Sequence, residues 1–183
     1  MDRRTALKQS ALMAGAFALL PSCNFGPDRE LVALNNLQID LEHQDLLAKV
    51  IETIIPSTEA EPGAEALNLY RFVLVMVDDC ETKEQQLVFV NGLKKFKAFV
   101  KDKVGNSFPQ KEQKANEEIL TAVTSIKELT NEEQSVQEFL SIARRYTIQG
   151  YMGSKYYLTE KFPYQLVPGP YQDCVNSDGL IVM

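Results

Sequence analysis

Few residues in this 183-residue sequence have side chains that could do chemistry. His43 is its only histidine, and its cysteines are Cys23, Cys80 and Cys174. This set is too small for a Cys/His zinc cluster of the usual kind. His43 lies at a polar helix start, which favours a surface or capping role over catalysis. A hydrolytic or redox enzyme could still be built from carboxylates or tyrosines.

Two further clusters could bind a ligand. Asp78, Asp79 and Glu81 form an acidic group at a predicted helix end. Such a group could bind a cation if other oxygen ligands converged on it, and without them we interpret it as a solvated turn. Gly150 and Gly153 are not followed by the Lys-Ser/Thr of a phosphate loop and do not follow a strand. We therefore predict no catalytic, cofactor-binding or metal-binding residue in the chain.

Tyrosines are concentrated in the C-terminal part of the chain, where five of the seven lie from residue 151 onward. A tyrosine there could be catalytic. A rigid apolar ring with a polar hydroxyl is more typical of packing, either on the protein's own body or on a partner. We predict a partner interface built from the aromatic residues Tyr151, Tyr156, Tyr157, Phe162, Tyr164 and Tyr171.

The first 22 residues resemble an export signal. A basic start is followed by a ten-residue apolar run over 11–20. That length suits a signal peptide and is too short to cross a bilayer. The start also resembles a twin-arginine signal, and the residues that match this pattern are Arg3, Arg4, Leu7 and Lys8.

The end of this segment resembles a lipobox, which predicts lipidation of Cys23. Acyl chains there would tether a periplasmic protein to a membrane. The alternative is an uncleaved or conventionally cleaved signal without lipid. After removal of residues 1–22, 16 basic and 24 acidic residues leave a formal net charge of −8. This charge disfavours attraction to an anionic membrane, so we expect the lipid to provide the attachment.

Cys80 and Cys174 then remain as an even pair in an oxidising compartment. They are 94 positions apart in the sequence. A bridge across so long a loop would restrict the unfolded chain and, in the chain-entropy model, raise the free energy of unfolding by about 4–5 kcal/mol. We predict this disulfide, and the alternative is two unrelated buried thiols.

Composition is that of a folded globular body. Hydrophobic residues make up 45% of the chain and charged residues 24%, which excludes wholesale disorder. A chain of this length can bury a sufficient core without a metal or a disulfide. Its formal net charge of −6 argues against nucleic-acid binding, which needs a basic face.

Apolar periodicity predicts two helices in the first half of the body. One begins near Asp40 and stops at Pro56. The next runs from Ala64 to about Asp79 and is apolar almost all round, which indicates a central helix. A strand over 72–77 is the alternative because its β-branched content is high.

Three more helices follow. Capping-box patterns at Thr82 and Thr130 predict the starts of two of them, and another follows Pro109. The first of the three ends near Val104, with Gly105 as a left-handed cap. Prolines at 163, 168 and 170 exclude a regular helix beyond Phe162.

Together these patterns predict an all-α bundle of about five helices with an extended aromatic and proline-rich C-terminal tail. The predicted organisation is a signal peptide over 1–22, a linker over 23–39 and a single helical domain over 40–183.

Several motifs, in their order along the chain, resemble one family. They lie between about residues 40 and 176, and the Arg3-Arg4 pair precedes them. The motifs are Ile54-Ile55-Pro56-Ser57-Thr58 with Pro62-Gly63-Ala64, Phe89-Val90-Asn91-Gly92-Leu93, Gly105-Asn106-Ser107-Phe108, Thr147-x-x-Gly150-Tyr151-x-x-Ser154 and Pro168-Gly169-Pro170-Tyr171-x-x-Cys174. On these motifs the chain resembles the small subunit, subunit 3, of membrane-associated gluconate 2-dehydrogenase and related flavoprotein dehydrogenases.

The resemblance implies a non-catalytic role. In such complexes a large subunit of the glucose–methanol–choline oxidoreductase type binds FAD and oxidises a sugar, a sugar acid or an alcohol, and a cytochrome c subunit often takes the electrons. The small subunit carries the twin-arginine signal and escorts the folded, FAD-loaded large subunit across the membrane. We therefore expect FAD in the partner and no cofactor here, since the sequence has neither GxGxxG nor CxxCH.

Two hypotheses from other classes remain open at this point. One is a stand-alone periplasmic lipoprotein enzyme that uses carboxylates or tyrosines for hydrolysis. The other is a binding lipoprotein without an oxidoreductase partner.

Overall fold

The computed structural model describes residues 31–162, Tyr164 and Val167, apart from the side chains of Asn131 and Glu132. Five α-helices make up most of this part, and a π-helical turn at Tyr157–Lys161 follows them. The helices are α1 (Leu41–Ile54), α2 (Leu69–Cys80), α3 (Lys83–Lys103), α4 (Gln113–Ser125) and α5 (Asn131–Met152). No strand occurs in the described residues, and the predicted five-helix bundle is confirmed.

Side-chain caps determine where α3 and α5 begin. At α5 the complete capping box is formed. The Thr130 backbone N–H donates to Glu133 Oε2 at 2.8 Å, and the Glu133 N–H donates to Thr130 Oγ1 at 3.4 Å. At α3 the Thr82 hydroxyl oxygen accepts from the Gln85 N–H at 3.3 Å, while the Gln85 side chain bonds to that hydroxyl and not to the backbone. Only half of the box predicted at Thr82 is therefore present.

Helix α2 begins five residues later than the predicted Ala64. Residues 64–68 form a turn, and Asn68 has a φ of 53°. Asparagine is one of the few residues that tolerate this left-handed conformation, which interrupts a right-handed helix. The helix therefore starts at Leu69. Residues 72–77 are helical, so the strand alternative does not occur.

Helix α5 is the centre of the bundle: it contacts each of the other four helices, and its contacts with α3 and with α2 are the most extensive in the bundle. Its Phe139 is fully buried between two aromatic rings of α3. The Phe89 and Phe139 ring centroids are 5.2 Å apart, and those of Phe96 and Phe139 are 5.8 Å apart, both edge-to-face. Phe96 also packs edge-to-face on Phe108 at 5.2 Å. These contacts fix α3 against α5.

Residues 31–39, which the sequence analysis assigned to a linker, lie against the helices. Leu37 and Ile39 are buried in the core. The buried side chain of Gln44 in α1 bonds to both backbone groups of Val32. This segment is therefore part of the packed body in the described structure.

Candidate partner-docking surface

The turn after α1 is held together by the carboxylate of Glu52. Its Oε1 accepts the Ser57 N–H at 2.7 Å and its Oε2 accepts the Glu65 N–H at 2.6 Å. Two backbone donors that a turn would otherwise leave to solvent are satisfied by one side chain. The Ser57 hydroxyl oxygen in turn accepts the Gly63 N–H at 3.0 Å.

Gly63 explains why the Pro62-Gly63-Ala64 motif needs its glycine. A Cβ atom added at Gly63 would lie 2.2 Å from the Ser57 nitrogen and 2.6 Å from the Ile55 carbonyl oxygen. That same Ile55 oxygen accepts the Ala64 N–H at 2.8 Å. The two ends of the turn are thus in backbone contact, which only glycine permits. Hydrogen bonds and close backbone packing therefore define the shape of this turn.

Three of the tyrosines predicted for the interface form a cluster at the end of α5. Tyr151 lies in the last turn of the helix, and the ring centroids of Tyr156 and Tyr157 are 6.3 Å and 5.7 Å from its own. The chain turns at Gly153, and the Ser154 hydroxyl oxygen accepts the Tyr157 N–H at 3.2 Å. The rings therefore stand on helical backbone, not on an extended tail.

An ion pair joins this cluster to the turn after α1. Lys161 Nζ lies 2.5 Å from Glu61 Oε1. The hydrogen bond that the Lys161 ammonium donates to Glu61, followed by the charge of Glu61, raises the pKa of Lys161. Burial and then the Glu61 charge raise the pKa of the Tyr151 hydroxyl, which keeps it protonated and able to donate a hydrogen bond. We call Glu61, Lys161, Phe162 and the three clustered tyrosines the loop–tyrosine surface.

The apolar part of this surface faces solvent. Phe162 is 44% exposed, and Tyr164 just beyond it is 53% exposed. Phe162 has extended backbone, as predicted for the start of the tail. The three clustered tyrosines are half-buried against one another. Tyr171, the remaining predicted interface residue, lies outside the described residues.

The chemistry available to this surface is binding. Rigid aromatic rings with polar tips, held beside a charge pair, are the composition of interface hot spots. In the part of the chain that the structure describes, no three His, Cys, Asp or Glu side chains converge as metal ligands. No described helix is long and apolar enough to cross a membrane.

The acidic group at the end of α2 was interpreted as a solvated turn, and for Asp78 this is wrong. Asp78 is only 3% exposed. Its carboxylate accepts the N–H groups of Asn35, Asn36 and Leu37 at 2.7, 2.8 and 2.7 Å. Burial alone would raise the pKa of Asp78, but these three hydrogen bonds, aided by the charge of Lys83, lower it below its ordinary value. Asp78 therefore anchors the segment before α1.

Glu81 also has a structural role. It forms an ion pair with Arg145 and accepts a hydrogen bond from the Tyr146 hydroxyl at 2.8 Å, so it ties the end of α2 to α5. Sequence spacing could not reveal either role, because the partners of Asp78 lie 41–43 positions away and those of Glu81 lie 64–65 positions away.

The other residues singled out in the sequence are widely separated. His43 lies in the first turn of α1, where its N–H donates to the N-capping Asp40 at 2.9 Å. Cys80 is a free, exposed cysteine at the corner between α2 and α3. The predicted bridge stays a prediction because Cys174 lies outside the described residues. The same holds for the export and lipidation residues Arg3, Arg4, Leu7, Lys8 and Cys23.

One protein family matches this chain over most of the described body. The model of the gluconate 2-dehydrogenase subunit 3 family matches residues 42–169. No curated protein and no solved structure is significantly similar to the chain. The matched region contains the five helices, apart from Leu41 at the start of α1, and the whole loop–tyrosine surface. The chain therefore belongs to the gluconate 2-dehydrogenase subunit 3 family.

Proposed function

We propose that this chain is a non-catalytic accessory subunit of a periplasmic FAD-dependent dehydrogenase whose large subunit is of the glucose–methanol–choline type. The family match over residues 42–169 is the observation that carries the proposal. The substrate of the complex would be a sugar, a sugar acid or an alcohol, and its pocket would belong to the large subunit.

The loop–tyrosine surface supports this role as the docking site for the flavoprotein. Its aromatic rings are held in place by α5 and by the Lys161–Glu61 pair before any partner arrives. Preorganised rings lose little conformational freedom on binding, so more of the contact energy remains as affinity. The exposed Phe162 and Tyr164 would be the residues buried on association.

Export would follow from the same association. FAD is loaded in the cytoplasm, so the folded holo-subunit must cross the membrane intact, and one twin-arginine signal on this chain could serve both proteins. Cleavage before Cys23 and acylation of its thiol would then anchor the complex. A cytochrome c subunit would accept the electrons from the flavin.

Co-purification tests the proposal directly. The tagged full-length chain, solubilised with a mild detergent, should bring down a protein with the absorption spectrum of bound flavin, and that complex should oxidise a sugar or an alcohol. If the chain comes down alone, the accessory role fails. Turnover of such a substrate by the isolated chain would instead favour a stand-alone enzyme.

Replacing Arg3 and Arg4 together by lysine tests the escort role. Both chains should then remain in the cytoplasm. The matched control is Arg144→Lys, which makes the same change at an exposed arginine of α5 and should leave export unaltered. Normal export of the flavoprotein in the Arg3/Arg4 variant would refute the escort.

A further inference from the structure

A groove runs along α5 on the side where α4 packs. Two adjoining clefts of about 350 and 720 Å³ form it, and they share Thr124, Leu140, Arg144 and Ile148. The α5 residues that line the groove begin at Gln134 and end at Ile148. These two positions are about 21 Å apart along the helix axis, which is the length of an extended chain of about six residues.

The two halves of the α4–α5 groove differ in polarity. The larger cleft lies toward the start of α5, and its polar lining residues on this helix include Gln134, Gln137, Glu138 and Ser141. The apolar residues that line the smaller cleft beside the shared Ile148 include Ile54, Ile55 and Leu120. Ile148 is 40% exposed, so part of its side chain is available to a ligand.

Arg144 lies where the two halves meet, since it lines both clefts. Its neighbour Arg145 is paired with Glu81. In the part of the chain that the structure describes, Arg144 itself has no hydrogen bond or ion pair. The acids of the groove are kept apart, because Glu138 lines only the polar cleft and Glu117 only the apolar one. A segment that fits the groove should therefore be polar with hydrogen-bond donors, then acidic, then apolar.

The sequence beyond Phe162 contains a segment with this order, over residues 176–182. Asn176 and Ser177 supply hydrogen-bond donors, Asp178 supplies a carboxylate, and the run over 180–182 is Leu-Ile-Val. These residues lie outside the described structure. No Lys, Arg or His occurs over 162–183, so no cation in this stretch would repel the arginine of the groove.

The spacing suits a carboxylate on Arg144 together with an aliphatic side chain on Ile148. Arg144 and Ile148 are about 6 Å apart along α5. Asp178 and Ile181 are about 10 Å apart in an extended chain, and the long arginine side chain can take up the difference. Sixteen positions separate Asp178 from Phe162 and can cover up to about 58 Å. That reach exceeds the whole length of the 22-residue α5, about 33 Å.

The size of the groove favours a tethered segment over a separate protein. A stable protein interface buries about 800 Å² on each partner, whereas the groove admits one extended chain of about six residues. A segment joined to the body has an effective concentration in the millimolar range, so weak contacts suffice to hold it.

We propose that residues 176–182 bind in the α4–α5 groove of the same molecule, with their carboxylate on Arg144 and their Leu-Ile-Val run against Ile148. Docking anchors residues 163–175 as a loop with both ends on the body. Tyr171 of the predicted interface lies in this loop, so it has less conformational freedom to lose when a partner binds. The docking requires neither a disulfide nor the flavoprotein.

A single tryptophan can report the docking, because the sequence contains none. Ile181→Trp is introduced into the full-length chain, which is purified without a flavoprotein and kept reduced so that no disulfide holds the tail. Acrylamide quenching measures the exposure of the tryptophan. We expect Arg144→Glu and Ile148→Ser each to raise the quenching constant at least about two-fold, because the docked state is lost. Lys101→Glu and Leu87→Ser make the same kinds of change at exposed positions of α3 and should leave it unaltered.

Exchange of the two charges tests the pairing itself. Asp178→Arg alone should release the tail, since two cations then face each other. Asp178→Arg combined with Arg144→Glu should restore the low quenching of the Ile181→Trp parent. Release in the single variant without restoration in the double variant would overturn the pairing that the docking requires.

Three other results would also overturn the docking. Equal quenching in the parent, Arg144→Glu and Ile148→Ser would show that the tail does not occupy the groove. Quenching that rises on dilution would assign the groove to the tail of a second copy. Weaker retention of a flavoprotein by the Ile148→Ser variant, with no change in tryptophan quenching, would assign it to the partner. The quenching results leave the proposed accessory role intact, because they concern the isolated chain.

Discussion

Gly92 of α3 lies directly against the backbone of Ser135 in α5. A Cβ atom added at Gly92 would come within 2.1 Å of the Ser135 carbonyl oxygen and 2.5 Å of the Phe139 Cβ atom. On the same two helices, the buried rings of Phe89 and Phe96 pack on Phe139. This contact gives a physical reason for the glycine in the Asn91-Gly92-Leu93 motif.

Gly92→Ala should destabilise the protein by about 1–3 kcal/mol, because the helices must separate to admit the methyl group. The higher helix propensity of alanine recovers at most about 1 kcal/mol of this loss. Urea unfolding followed by circular dichroism measures the change. Gly153→Ala is the matched control, since an added Cβ there would come no closer than 3.3 Å to its neighbours. A Gly92→Ala variant as stable as the control would contradict the close contact.

Glu52→Gln should loosen the turn after α1. The amide replaces one of the two oxygens that accept the Ser57 and Glu65 N–H groups, and hydrogen bonds to a charged acceptor contribute about 1.5–3 kcal/mol. We expect a loss of about 1–3 kcal/mol in the free energy of unfolding and faster hydrogen exchange at both amides. Glu59→Gln, at an exposed position in the same turn, should have neither effect. Equal exchange rates in the two variants would rule out the bracing role of Glu52.

The ion pair between Lys103 and Glu133 should stabilise the protein in a pH-dependent way. Lys103 Nζ lies 2.7 Å from Glu133 Oε1. The hydrogen bond from Lys103 and those from Thr130 lower the pKa of Glu133 from 4.5 to about 2. A depressed carboxyl pKa stabilises the fold above the unfolded-state value near 4.5, and this contribution is lost as the pH falls toward 2.

A double-mutant cycle with Lys103→Met and Glu133→Gln isolates that contribution. Urea unfolding should give a favourable coupling at neutral pH that declines below about pH 4.5 and disappears near pH 2. A coupling that is constant with pH would show that the pair does not depend on the Glu133 charge.

Phe162→Ser combined with Tyr164→Ser should weaken binding to the flavoprotein by at least ten-fold. Both side chains are exposed in the described structure, so the melting temperature should stay unchanged while the apolar area available to a partner falls. The flavin that stays bound with the tagged chain is measured over a series of dilutions. This retention reports the affinity of the chain for the flavoprotein. Val75→Ser, at an exposed apolar position of α2, serves as the control. Equal retention by the double variant and the control would place the docking site elsewhere.

Cys80 and Cys174 should resist alkylation in unreduced periplasmic material if they form the predicted bridge. Cys80 lies exposed at a helix corner, so its thiol would react readily when not oxidised. Replacement of Cys80 by serine should then make Cys174 available to the reagent, as mass spectrometry would show. Full labelling of both cysteines in the unreduced parent protein would exclude the bridge.

Local patterns predicted most of the helical bundle correctly. The capping box at Thr130, the side-chain cap at Thr82 and the stop at Pro56 involve residues within a few positions of one another, and such contacts can be inferred from spacing. The start of α2 was predicted five residues too early, because 64–68 has helical composition but Asn68 adopts a left-handed conformation.

The candidate site was predictable in composition but not in assembly. The aromatic residues at 151, 156 and 157 were identified from their density, whereas no local pattern indicated that Lys161 would pair with Glu61, 100 positions away. The anchoring role of Asp78 was missed for the same reason. Its donors are backbone N–H groups, which every non-proline residue has, so no side-chain pattern marks them.

Helix α5 both packs the core and supports the tyrosine cluster. It touches every other helix of the bundle, and its final turn carries Tyr151. The tyrosine rings can therefore adopt their arrangement only after the core around α5 has packed. A partner that recognises these rings would therefore bind only the folded chain. An incompletely folded chain would lack the tyrosine cluster and would not be bound, so the binding step itself would select for folded protein.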